Sequence, residues 1–178
     1  MNHPGHLDGA GLSRAQSLRA DLVVVGSGPA GAVVAARAAA AGARVIVLEA
    51  GPWHTAPPPQ TAFRAMAERY TAMGAQVAWG RPPMPVVQGR MVGGSSPING
   101  AICWRTPRDV YDGWIGADPA LGEALPWATL EALTDQVERR LNVQSTDPAV
   151  AGRKNELMAA GAEALGLAHR PIRRNVRG

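Results

Sequence analysis

One stretch, Asp21 to Glu49, constrains what this sequence can fold into more than all the rest. Residues 21–25 read DLVVV, the chain turns through GSGPAG, an Ala-rich run PAGAVVAARAAAA extends from Pro29 to Ala41, and residues 44–48 read RVIVL. Short β-branched runs that are apolar on both faces fit parallel strands covered on both sides. The Ala-rich run favours a helix, its small side chains allow close packing on a sheet, and Gly42 stands where helices commonly end. Parallel strands need a crossover, which this helix supplies, so Asp21 to Leu48 is expected to form one right-handed βαβ unit of an α/β fold.

Within that unit Gly26, Gly28 and Gly31 satisfy G-x-G-x-x-G. The pattern alone is common. Here, however, the first glycine ends a strand, the third lies in the first turn of a helix, and an acidic residue, Glu49, closes the next strand about twenty residues on. Gly26 permits the tight turn, Gly28 has no Cβ to block a pyrophosphate, and Gly31 lets the helix pack against the first strand. The helix N-terminus would direct unpaired N–H groups and a positive dipole end of roughly half a charge at an anion. Pro29, with no N–H and a fixed φ, suits the first helical turn. Glu49 would accept hydrogen bonds from both ribose hydroxyls and repel a 2′-phosphate. These features imply a Rossmann-type site for the ADP half of a dinucleotide, and they do not by themselves separate FAD from NAD.

The remainder is loop-rich, since the 178 residues include 21 Gly and 15 Pro. Residues 1–20 mix Gly, Pro, Ser and charge without helical or alternating period and read as a flexible leader, leaving 21–178 as one domain. AGPWHTAPPPQ after Glu49 is too rich in Pro and Gly for regular structure. The patterns predict helices over 61–70, 107–114, 129–141 and 155–165, with a Gly/Pro-rich loop through 81–85.

A formal charge of +4 and a sequence pI near 10.2 raise nucleic acid as a partner. The basic residues are scattered Arg apart from a terminal group, Arg170, Arg173, Arg174 and Arg177, and no aromatic platform is interleaved with them. We therefore expect no nucleic-acid partner, and a solvated basic face, or one awaiting partner structure, at the C-terminal group. The single cysteine, Cys103, excludes an intrachain disulfide and a cysteine-built metal site. It is expected to be a buried structural thiol in a reducing, cytoplasmic setting. No run of about eighteen apolar residues exists to span a membrane, and the first twenty residues carry no hydrophobic signal core. His3 and His6 fall in a terminus read as flexible, which is not expected to supply the outer-shell partners that orient histidines on a metal. Trp53, Trp79, Trp104, Trp114 and Trp127 read as packing anchors, and His54 and His169 as surface or satisfied core residues rather than catalytic bases.

A second glycine cluster decides between cofactors. Residues 89–99 read GRMVGGSSPIN and are followed by GAICWRTPRDVYDGW. Gly89, Arg90, Val92, Gly93, Gly94, Ser95, Ser96, Ile98, Asn99 and Gly100 match the first signature of the glucose-methanol-choline (GMC) oxidoreductases. With VVVGSGPAGAVVAARAAAAGARVIVLEAGP at 23–52, two motifs agree in the correct order. The chain thus resembles the front portion of a GMC flavin oxidoreductase over most of 21–114, and from Thr129 onward is loosely similar to the branch that oxidises long-chain alcohols. Adjacent glycines let the main chain approach a flat ring or phosphate with its N–H groups exposed.

The resemblance implies FAD contact by Gly26, Ser27, Gly28, Pro29, Ala30, Gly31, Glu49 and Ala50 in the first motif. In the second it implies contact by Arg90, Val92, Gly93, Gly94, Ser95, Asn99, Gly100 and Ala101. Some relatives bind flavin covalently through a histidine just before the motif's Asn; that position is Ile98 here, so noncovalent FAD is expected. The implied reaction is hydride transfer from an alcohol CH–OH carbon to flavin N5 while a base removes the hydroxyl proton. In the family that base and the substrate-binding domain lie far toward the C-terminus of a longer chain. The expectation is therefore a truncated product with no catalytic residue of its own. A non-catalytic FAD- or ADP-binding module, and a fragment of an NAD-dependent reductase, remain as alternative readings.

Overall fold

The computed structural model describes residues 5–55 and 61–176. The chain divides into two compact units, Met1–Asn99 and Gly100–Gly178.

The first unit is built on the βαβ element. Strand β1 (Leu22–Val25) pairs in parallel with β2 (Val45–Leu48), Leu22 opposite Val45 and Val25 opposite Leu48. Helix α1 (Pro29–Ala40) is the crossover. It ends as Gly42 predicts: the N–H of Ala43 reaches back to the Ala38 carbonyl (3.1 Å) and Gly42 takes a φ of +91°. Asp21 clamps the start of both strands by accepting from the backbone N–H and the guanidinium of Arg44 (2.8–3.1 Å). The strands are not covered on both sides as their composition suggests. Only Val24 is buried, whereas Val23 and Val25 are 51% and 84% exposed, because the sheet has two strands and α1 covers one part of it.

Helix α2 (Ala62–Arg69) starts at Thr61, whose hydroxyl accepts from the Arg64 N–H (3.3 Å). The Gly/Pro-rich stretch beyond it is not all loop, since β3 (Gln76–Ala78) and β4 (Met84–Val86) form an antiparallel hairpin with Val77 opposite Pro85. A two-stranded ribbon tolerates Pro85 because a missing N–H on an outer edge breaks no ladder bond. Of the loop expected after Glu49, residues 51–55 form no helix or strand, and 56–60 lie outside the described residues.

The second unit holds α3 (Arg108–Ala117), α4 (Pro119–Ala124), α5 (Trp127–Arg140) and α6 (Gly152–Ala164), with a short antiparallel pair, β5 (Gln144–Ser145) and β6 (Arg173–Arg174). Helix α5 begins two residues before the expected Thr129, and α6 three before Asn155. Tyr111 is the apolar centre, 2% exposed; its ring meets Trp127 edge-on (5.1 Å) and its hydroxyl donates to the Leu125 carbonyl (2.8 Å).

Of the C-terminal arginines, Arg173 and Arg170 are engaged by other residues rather than simply solvated. Arg173 NH2 donates to the nearly buried Glu138 of α5 (2.8 Å), Arg105 Nε donates to the same carboxylate (3.1 Å), and Arg170 lies over the Trp104 ring (5.3 Å). Arg177 lies outside the described residues. Four of the five tryptophans are exposed, Trp79 most at 91%, so within this chain they do not anchor packing. Cys103 is half-buried, its thiol 3.7 Å from the Ala101 carbonyl, rather than sealed in a core.

Candidate dinucleotide-binding site

The site is assembled in the first unit by the loop after β1, the start of α1, the residues after β2, and the loop through 89–96. Gly26 leaves β1 with φ +90°, a conformation side chains with a Cβ rarely adopt, while its N–H still donates to the Leu48 carbonyl (2.7 Å). A Cβ on Gly31 would overlap the Gly26 carbonyl oxygen and stand 3.2 Å from Val24 Cγ1, so this glycine seats α1 against β1. Gly28 is different. Its φ is −61°, and a Cβ there would meet nothing within 4 Å, so the space above it is open.

Gly28 is also the N-cap of α1, and no side chain caps the helix. Pro29 at N1 brings no N–H, which leaves the amides of Ala30 and Gly31 facing outward without an intrahelical acceptor. A twelve-residue helix with an uncapped positive end beside open space is chemically suited to a diphosphate.

Glu49 follows β2. One carboxylate oxygen accepts from both the Ser27 N–H (2.9 Å) and the Ser27 hydroxyl (2.7 Å), and the other from the Gly51 N–H (2.8 Å). Partial burial pushes this carboxyl up, but the Ser27 hydroxyl and the N–H groups of Ser27, Gly51 and Ala50 outweigh it and hold the group below its ordinary value. Glu49 is therefore ionised at neutral pH. A carboxylate offers about four lone-pair directions, and the three hydrogen bonds from Ser27 and Gly51 leave one for a ligand hydroxyl.

The second glycine loop is fastened to the first. The Gly93 N–H donates to Ser27 Oγ (2.9 Å), and the Val92 N–H to the Pro52 carbonyl (3.1 Å). Gly93 and Gly94 both have positive φ, and a Cβ on Gly94 would lie 3.0 Å from Gly28 Cα, so only glycine permits this approach. Ser95 Oγ accepts from the Gly89 N–H (3.0 Å) and closes the loop on itself.

Of the residues expected at the site, the structure gathers Gly26, Ser27, Gly28, Pro29, Ala30, Gly31, Glu49, Ala50, Val92, Gly93, Gly94 and Ser95 on these adjoining loops. Arg90 and Asn99 are exposed members of the same unit, and Gly100 and Ala101 open the second. Two residues escaped sequence reasoning. A Cβ on Gly51 would overlap the Arg90–Met91 backbone, and Met91, 2% exposed, is the plug beneath the loop. Gly51 could have been found from its place directly after the acidic residue; nothing local marks Met91.

The GMC oxidoreductase family model matches residues 20–178. The chain belongs to this family. Similar proteins include an uncharacterized GMC-type oxidoreductase of Mycobacterium tuberculosis, 38% identical over 90% of the chain and 25% of that protein. A GMC-type oxidoreductase of Sinorhizobium fredii is 36% identical over 95% of the chain and 33% of its own length. A long-chain-alcohol oxidase of Arabidopsis thaliana is 31% identical over 98% and 24%. Among solved structures, pyridoxine 4-oxidase from Mesorbium loti superposes with a TM-score of 0.58 at 20% identity, covering 89% of this chain and 37% of that one. The GMC chain described here thus spans about a fifth to a third of the curated relatives it matches, and the α/β fold with its parallel pair is that of a GMC oxidase, in part.

Proposed function

We propose that this chain is the FAD-binding front portion of a flavin-dependent GMC oxidoreductase acting on CH–OH donors. One observation carries the reading: α1 presents an uncapped N-terminus beside open space at Gly28, with an ionised Glu49 held one strand away. The amides of Ala30 and Gly31 would hold the pyrophosphate, and Glu49 a ribose hydroxyl. Arg90, Gly94, Ser95 and Asn99 would lie along the flavin side. When bound, the flavin accepts a hydride from the alcohol carbon. The chain's own residues orient the cofactor and keep it noncovalent, Ile98 offering no nucleophile. No residue of this chain is assigned as the catalytic base. The alternative of a binding module without catalysis differs only in whether the remainder of an oxidase accompanies the chain.

The test is a calorimetric titration of the chain with FAD and with ADP. Both should bind, and Glu49→Ala should weaken each by about 10- to 100-fold, as one charge-assisted hydrogen bond worth roughly 1.5–3 kcal/mol is lost. Unchanged affinity removes Glu49 from the site, and no binding of either ligand defeats the proposal.

A further inference from the structure

We propose that Ser27 is a positioning residue: its hydroxyl forms a one-way relay, Gly93 N–H to Ser27 Oγ to Glu49 carboxylate, that holds the second glycine loop in register with the first. The direction follows from the donors and acceptors present. The Gly93 amide can only donate, so Ser27 Oγ accepts there (2.9 Å). A hydroxyl has one proton, and the neighbouring acceptor is Glu49 Oε2 at 2.7 Å. An ionised carboxylate can only accept, so all three groups are satisfied in this one arrangement. Glu49 has no ion-pair partner among the described residues; the groups facing it are the Ser27 hydroxyl and main-chain N–H groups of Ser27, Ala50 and Gly51.

The relay spans 66 residues of sequence at a place where the loops have no slack, because Gly94 packs against the Gly28 backbone. Gly28 and Gly94 are two of the main-chain surfaces assigned above to the cofactor. Ser27 thereby sets the separation of the surfaces a dinucleotide must fit, without having to touch it. Protonating Glu49 weakens the acceptor that orients the Ser27 proton, which makes the Gly93 amide a reporter of the Glu49 charge.

Two measurements on the ligand-free chain test this, and a third rests on the FAD reading. In the unsubstituted protein, the Gly93 amide resonance and the Glu49 carboxyl carbon should titrate with a common midpoint, below that of an ordinary carboxylate. In Ser27→Ala the Gly93 response should vanish, its amide exchange should speed at least about tenfold, and the Glu49 midpoint should rise, while amides of α5 keep their protection. FAD affinity of Ser27→Ala should fall by about tenfold near neutral pH, and should decline further on acidification at a higher pH than that of the unsubstituted chain. A Gly93 amide indifferent to Glu49 titration overturns the relay, whether or not Ser27→Ala folds. So does a Ser27→Ala variant that keeps the shared midpoint. Failure of the unsubstituted chain to bind FAD would sink the cofactor reading and leave both ligand-free measurements standing.

Discussion

Removing the charge of Glu138 tests the ion cluster that organises the second unit. Glu138 is the one buried charged side chain among the described residues, and both of its oxygens are engaged by Arg105 and Arg173, while Arg105 also meets Asp135. Hydrogen bonds from the two guanidiniums depress its carboxyl from 4.5 to about 2. Without solvent screening that corresponds to roughly 3 kcal/mol, at about 1.4 kcal/mol for each unit. Arg105 and Arg173 are 44% and 35% exposed, so solvent screening leaves about 1–2 kcal/mol. Because the folded value is depressed, this stabilisation is complete above the unfolded value of about 4.5 and disappears as the pH falls through about 2. Glu138→Gln should therefore unfold more easily than the parent by about 1–2 kcal/mol near pH 7, with the gap closing between about pH 4.5 and pH 2. Urea unfolding followed by the amide signals of α5 reads the difference directly. Equal midpoints near neutral pH, or a gap that persists in acid, would refute the reasoning.

Three further substitutions separate scaffold from site. Gly28→Ala should leave ligand-free stability within about 0.5 kcal/mol, since its Cβ meets nothing, yet lower FAD affinity at least about tenfold by calorimetry. Gly31→Ala should do the reverse in a melting experiment, losing about 1–3 kcal/mol because its Cβ overlaps the Gly26 carbonyl and neither backbone can yield. Tyr111→Phe should cost the second unit about 1 kcal/mol, measured by urea unfolding, as the Leu125 carbonyl loses its donor. A panel of primary and secondary alcohols mixed anaerobically with the FAD-loaded chain should produce no bleaching of the flavin band, and bleaching would place a base within these residues.

The βαβ element was legible because its signals are local: β-branched runs, an Ala-rich helix, and glycines whose spacing matches one turn. Gly26, Gly31 and Gly42 take the structural roles their positions imply. What was not legible depends on distance in sequence. Glu138 and Arg173 stand 35 residues apart, and no charge pattern along α5 announces that a terminal arginine returns to it. The β3–β4 hairpin is hidden because three-residue strands are too short to show alternation and Pro85 argues against one of them. Ser27 looked like a ligand contact in the motif; its link to Gly93 is a tertiary fact.

The bare strand β1 has a consequence for how this chain behaves in company. Among the described residues β1 pairs with β2 alone, so its other edge offers a row of unmatched N–H and C=O groups flanked by the exposed Val23 and Val25. Such an edge is a template for strand addition, and no lysine, proline or bulge guards it. At four residues it is short, but it is apolar, β-branched and uncharged, the composition that favours intermolecular cross-β pairing. A strand docked there in parallel would end that hazard and extend the platform beneath α1 in the same step.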